Sequence, residues 1–266
     1  MREIVFNLYP NGKRKAVTFS YDDGDKRDIR LTELFDKYGA KCTFNLNGGW
    51  IIDESKNRID KDFVRYLADN HEVAIHGYYH NSLDRIPQSM FISELFEDKK
   101  TLEDIIGKPI IGMAYANGSY TEESINALDA LGIKYARTVG ATRGSSVPAR
   151  FLSWHPTCHH NQALELVDGF LNNPYPRIPL LYIWGHSHEL REESDWEKMD
   201  TLLKKLSEHD DIWFATNGEI YDYITAIRNL RVSASCDTVF NPSALTVYAT
   251  VGGKVVAFPP GLTKLN

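Results

Sequence analysis

Cysteine is scarce in this chain: Cys42, Cys158 and Cys236 are the only three among 266 residues. Their number is odd and their spacing wide, so they read as reduced thiols and exclude a disulfide framework. Long hydrophobic runs are missing, and no stretch approaches the roughly 18 apolar residues of a membrane span. The opening MREIVFNLYPNGKRK has charges but no long apolar segment after them. No signal peptide is expected there, and a cytoplasmic enzyme fits best, a removed leader aside. Positive charge is not in excess either. A net charge of −6 leaves no basic footprint for nucleic acid and no attraction to anionic membranes. Internal repeats and low-complexity segments are also lacking. What is there is ample core material, with 42% hydrophobic residues. Chains of this length form one or two domains, and barrels of this size commonly form one.

Short apolar runs alternate with longer helical patterns. Strands are expected at 15–21, 41–47, 72–76, 110–115, 133–139, 178–185 and 211–216. Between them, apolar residues at i, i+3 and i+4 predict helices in DIRLTELFDKYG, DKDFVRYLADN, MFISELFEDKKTLEDIIG, EESINALDALG, SDWEKMDTLLKKLSEH and EIYDYITAIRNL. Thr121 and Ser194 read as helix caps, and Gly39, Gly107 and Gly132 as helix ends. Such alternation means parallel strands with helices outside, and about seven units suggest a closed or nearly closed β/α barrel. After Leu230 the pattern changes. RVSASC, ALTVYATVGG and KVVAFPPG read as strands, with Gly252-Gly253 as a hairpin turn. The division is a barrel over 1–229 and a small all-β appendage over 230–266.

In this architecture chemistry gathers at the C-terminal ends of the strands. The first strand ends in TFSYDDGD, with Asp22 and Asp23 side by side. Asp and Gly favour turns, so the pair fits a cap, but the apolar run before it argues that the acids emerge from the core. The third strand ends in HGYYH, with His76 and His80 four apart. On a helical turn both rings would reach one ion, although two solvated surface histidines share that spacing. Two histidines and one carboxylate leave open positions on a divalent ion, the pattern of catalytic sites. One acid would ligate while the other takes a proton from a water the ion acidifies. His186, in YIWGHSHE, would give a proton to a leaving group. His188 would point away if the strand continued.

These motifs, in this order, resemble the polysaccharide deacetylases of carbohydrate esterase family 4. The resemblance covers about 15–220 and implies a distorted (β/α)7-type barrel that removes acetyl groups, mostly from N-acetylated sugars. It implies Asp22 as general base and His186 as general acid. It implies a divalent metal on Asp23, His76 and His80, zinc first, with cobalt, nickel or manganese as alternatives. The third family motif departs: Ala114 stands where an arginine normally orients the base. Arg137, at the end of the next strand, is the candidate substitute, with a surface salt bridge as its other reading. Tyr115, Ala116 and Asn117 are expected beside the substrate, with an oxyanion-binding N–H near Ala116 or Asn117. Gly77 replaces the usual Ser or Thr. Trp154 is expected to line the acetyl pocket and Trp184 to lie in the core. His159 or His160 would grip sugar hydroxyls, with Glu189 and Asn45 as similar candidates. A second metal near His155, His159, His160 and Cys158 lacks a full ligand set in the sequence.

The expected partner is an acetylated amino sugar or oligosaccharide, without nucleic acid or membrane, and an oligomer is open. Two other readings stand beside this one. One is a hydrolase of cyclic imides or ureides. The other is a carbohydrate-binding protein that has lost catalysis, for which the missing arginine is the only support.

Overall fold

The computed structural model describes residues 3–174 and 178–265. Lys15–Asp22 is the central strand. It pairs in parallel with Cys42–Leu46 on one side and Leu180–His186 on the other, and its start pairs with Ile212–Phe214. The parallel order continues from Cys42–Leu46 through Glu72–Ile75, Gly112–Ala114 and Tyr135–Arg137. At the other flank Leu180–His186 pairs with the short strand Cys158–His159.

The stretch 154–159 closes the ring irregularly. The Trp154 N–H donates to Ala136 O at 2.9 Å, and the Thr138 N–H donates to Trp154 O at 2.9 Å. Three residues on, the Thr157 N–H donates to Tyr182 O at 2.8 Å. One short segment therefore bonds to both flanks, and the result is a distorted (β/α)7-type barrel with extra antiparallel sheets near the C-terminus. The seven expected barrel strands are all found. Cys158–His159 was not anticipated, being two residues long and without alternation.

The period of two along each strand sends polar as well as apolar side chains into the barrel. Val17, Phe19 and Tyr21 pack in the main core. Thr18 donates to Asn217 Oδ1 at 2.8 Å, and Asn217 donates to the Tyr182 hydroxyl at 2.6 Å. Thr43 donates to the half-buried Glu72 at 2.7 Å. Burial raises the Glu72 pKa, even though the Gly218 N–H and Thr43 bond its carboxyl.

The six expected helices form as Asp28–Lys37, Lys61–Asn70, Gln88–Ile106, Glu122–Ala130, Glu193–Ser207 and Asn217–Arg228. Gly48–Ile52 and His160–Leu171 add two that were not expected. Thr121 caps its helix reciprocally with Ser124. Ser194 does not cap: it lies inside its helix, and Glu192, with Asp195, holds that end. Gly39, Gly107 and Gly132 all take the left-handed conformation that ends a helix.

Past Leu230 lie two three-stranded antiparallel sheets. Val247–Val251 and Lys254–Phe258 form the expected hairpin, and Ile4–Val5 joins as their third strand. Arg231–Val232, Thr238–Asn241 and Gly261–Lys264 form the other sheet. The strand read into RVSASC stops at Val232, because Ser233 collects the Asp237 and Thr238 N–H groups into a turn. Among the described residues, no helix is long and apolar enough to cross a membrane.

Candidate active site

Asp22 is the last residue of its strand, and Asp23 and Gly24 follow with φ of 79° and 65°. Two left-handed residues in succession swing the neighbouring carboxylates apart, and such strain at a non-glycine residue persists only where the surroundings enforce it. Asp22 Oδ2 accepts from the Arg137 guanidinium, and Asp22 Oδ1 accepts from Asn45 Nδ2 at 2.8 Å. Arg137 is fully buried, with its guanidinium 4.4 Å from the Trp184 ring centroid. Burial alone would raise the Asp22 pKa. Arg137, His76, His186 and the Asn45 amide outweigh it and hold the carboxyl below its usual value. Ala114 and Arg137 are register partners on adjacent strands. The cation therefore sits one strand over from the position the resemblance points to.

His76 and His80 do not lie on a helix, which corrects the reading of HGYYH. They follow Glu72–Ile75 in a turn with Gly77 at φ 87° and His80 at φ 62°. The turn still brings both rings to Asp23. Asp23 Oδ1 is 3.7 Å from His76 Nε2 and 3.6 Å from His80 Nε2. His76 Nδ1 donates to Ala114 O at 2.7 Å, which leaves Nε2 with its lone pair toward Asp23. Asp98 accepts from the His76 N–H at 2.9 Å and fixes the backbone there. Trp50 stacks on His80. Burial, then the nearby His76, lower the His80 pKa and keep the ring neutral. Asp23 Oδ1 is buried without a hydrogen-bond partner among the described residues. Such an orphan is costly unless something binds it. One carboxylate and two imidazoles with converging atoms fit a divalent cation.

His186 ends the strand Leu180–His186, with Nε2 3.8 Å from Asp22 Oδ2 and Nδ1 3.5 Å from Glu189 Oε1. Burial works against its charge, but Glu189, Asp22 and Asp23 outweigh burial and raise its pKa. His188 was expected to point away only if the strand continued, and the strand does not continue. The turn Ser187–Glu189 returns the His188 Nδ1 to 4.0 Å from Asp23 Oδ2.

The remaining expected residues divide. Ala116 is buried at the turn after Gly112–Ala114, and Asn117 is exposed there at φ 57°. Tyr115 is not at the mouth: it alternates to the helix side, and its hydroxyl donates to Leu152 O at 2.8 Å. Trp154 is not a pocket wall either. It is 1% exposed, packed among Tyr135, Phe151 and Tyr182. The tryptophan at the site is Trp184, between Arg137 and the edges of His159 and His186. His159 is partly exposed, with Nε2 2.9 Å from Glu189 Oε2. Asn45 and Glu189 were candidates for gripping sugar, with a structural role as their other reading. They hold Asp22 and His186 instead, contacts set by strand register and by the turn after His186.

Residues 9–136 match the model of the family described as polysaccharide deacetylase. Over that segment the chain is similar to the polysaccharide deacetylase family. The peptidoglycan-N-acetylglucosamine deacetylase of Bacillus cereus is 29% identical over 100 residues, 37% of this chain. The match spans only 35% of that protein. A Mycobacterium smegmatis protein provisionally described as a polysaccharide deacetylase superposes with a TM-score of 0.64 at 17% identity, covering 85% of this chain and 96% of that one. The polysaccharide deacetylase Bc1974 of Bacillus cereus gives 0.54 at 21%, covering 76% and 92%. The PuuE allantoinase gives 0.64 at 12%, covering 80% and 91%. At these identities the likeness is one of fold. The matched deacetylase segment contains Asp22, Asp23, Asn45, His76 and His80 and ends one residue before Arg137.

Proposed function

We propose that the chain is a metal-dependent hydrolase that removes an acetyl group from an N-acetylated or O-acetylated carbohydrate. The catalytic part would be the barrel, 1–229, with 230–266 as its appendage. The observation that carries the proposal is the convergence on one rim of an ionised, arginine-held Asp22, an Asp23–His76–His80 donor set and a histidine with raised pKa, His186.

A divalent ion on Asp23, His76 and His80 would supply Lewis acidity to the acetyl carbonyl and to a water; zinc suits the donors, with cobalt, nickel or manganese as alternatives. Asp22 takes the proton of the attacking water, since Arg137 and Asn45 keep its carboxylate charged and aimed. A carbon–oxygen bond forms and the carbon–nitrogen or ester bond breaks. His186 gives its proton to the leaving nitrogen or oxygen, with Glu189 behind its other ring nitrogen. Backbone N–H groups at Ala116 and Asn117 are the candidates to meet the oxyanion.

The test pairs metal analysis of the purified protein with acetate release from N-acetylated oligosaccharides. Asp23→Ala is expected to lose bound metal and activity. Asp22→Asn is expected to keep the metal and lose activity by 100-fold or more, about the contribution of general-base catalysis. Acetate release that survives chelation, or turnover of a cyclic ureide with none of acetylated sugars, would overturn the reading.

A further inference from the structure

A second group of ligating side chains lies on the same rim. We propose that His159, His160 and Glu189 form a second divalent-cation site, separate from Asp23, His76 and His80. One ligand atom from each of the three lies within 4.8 Å of the others. His159 Nε2 is 2.9 Å and His160 Nε2 3.6 Å from Glu189 Oε2. Those spacings suit ligands about 2 Å from a common ion.

His160 is the independent observation. Its side chain is only 2% exposed and its Nε2 has no hydrogen-bond partner among the described residues, yet it faces the carboxylate. An unsatisfied buried nitrogen is costly, and coordination removes that cost. The rest of the ring is already braced. Nδ1 lies 3.2 Å from the Tyr21 hydroxyl, and the Tyr21 ring stacks on it at 13°. A metal-ligating histidine commonly has its second nitrogen held in this way. His159 would give up two contacts, the 3.4 Å hydrogen bond from the Asn161 N–H to its Nδ1 and the 2.9 Å one from its own Nε2–H to Glu189, because Nδ1 must carry the proton when Nε2 coordinates.

The neighbours suggested by sequence alone are not ligands. Burial pushes the Cys158 thiol up to about 12, and His155 Nδ1 lies 2.5 Å from Thr138 Oγ1. The missing carboxylate comes from Glu189, thirty residues further along the chain and on the neighbouring strand's loop. A water or a substrate oxygen would complete a tetrahedral set.

The test is equilibrium dialysis of the whole protein against zinc, with metal counted per chain. The wild type is expected to bind two equivalents, Asp23→Asn one, His160→Gln one, and the double variant none. Glu189→Gln, close to isosteric, is the second variant should His160→Gln fail to fold, and it is also expected to bind one. A wild type that binds a single equivalent, lost in Asp23→Asn, overturns the second site and leaves the first intact. Two equivalents retained in both His160→Gln and Glu189→Gln overturn it as well. One equivalent retained in Asp23→Asn and removed by adding either change supports it, whatever the enzyme's activity proves to be.

Discussion

Asp22 keeps a charge in a buried place because two donors hold it, and Arg137 is the stronger. Removing one partner of a buried ion pair leaves the other uncompensated and typically costs about 3–5 kcal/mol. Arg137→Met should therefore lower stability by about that amount. It should also raise the pKa of Asp22, since burial is the largest influence on it and the arginine is the first that opposes burial. A base works only when ionised. The acidic limb of the kcat/KM profile should move to higher pH in the variant, with activity lost at pH values where the wild type still works. The stability sign agrees. Asp22 is depressed in the folded state, so its pairing stabilises above the unfolded pKa of about 3.9 and is lost as pH falls through the folded value. Arg137→Lys should recover the limb only in part, because an ammonium neither spans Asp22 and the Thr138 carbonyl with two fixed nitrogens nor stacks on Trp184 in the same way. An acidic limb that stays in place in Arg137→Met would remove Arg137 from the base-holding role.

At the scale of the elements, what sequence made legible was whatever repeats with a short period. Seven barrel strands and six helices follow from alternation and from 3.6-residue spacing, and the loops after the strands carry the acids and histidines. What escaped depends on neighbours in space. Trp154 and Trp184 exchanged their expected places because nothing local in the sequence shows that Trp154 packs among Tyr135, Phe151 and Tyr182 while Trp184 stands beside Arg137. Tyr115 follows a strand of three residues, too short to show which face it takes. The helix His160–Leu171 was hidden because its first residue belongs to the site rather than to a polar cap. Gly185 makes that placement possible. It is the register partner of Tyr21, and a Cβ there would meet the His160 ring. Gly185→Ala should push His160 off its bed against Tyr21. Overpacking of this kind costs about 1–3 kcal/mol. For a chain this long that is a fall in Tm of roughly 2–10 °C, read by calorimetry. An unchanged Tm would mean that the helix yields freely and that His160 is not fixed by the strand.

At the scale of the whole molecule, the sheets after Leu230 are tied to the barrel. Phe258 is fully buried with Val239, Val247 and Ala249 against Ala226 of the helix Asn217–Arg228. Three residues earlier on that helix, the Tyr223 hydroxyl donates to Leu8 O at 2.9 Å and accepts from the Tyr248 N–H at 3.0 Å. At its start, Asn217 reaches into the barrel to Thr18 and Tyr182. One helix thus links the appendage to the polar interior, and Ile4–Val5 ties the other end of the chain to the same sheet. The chain should then unfold as one unit. Phe258→Ala removes a buried ring at a typical cost of about 3–5 kcal/mol. All five tryptophans, Trp50, Trp154, Trp184, Trp196 and Trp213, precede the appendage, so their fluorescence reports on the barrel alone. In Phe258→Ala the tryptophan transition should shift to lower temperature together with the far-ultraviolet circular dichroism, as a single step. A tryptophan transition left at the wild-type temperature, with a separate earlier loss of β signal, would show instead that 230–266 melts on its own and that the barrel does not depend on it.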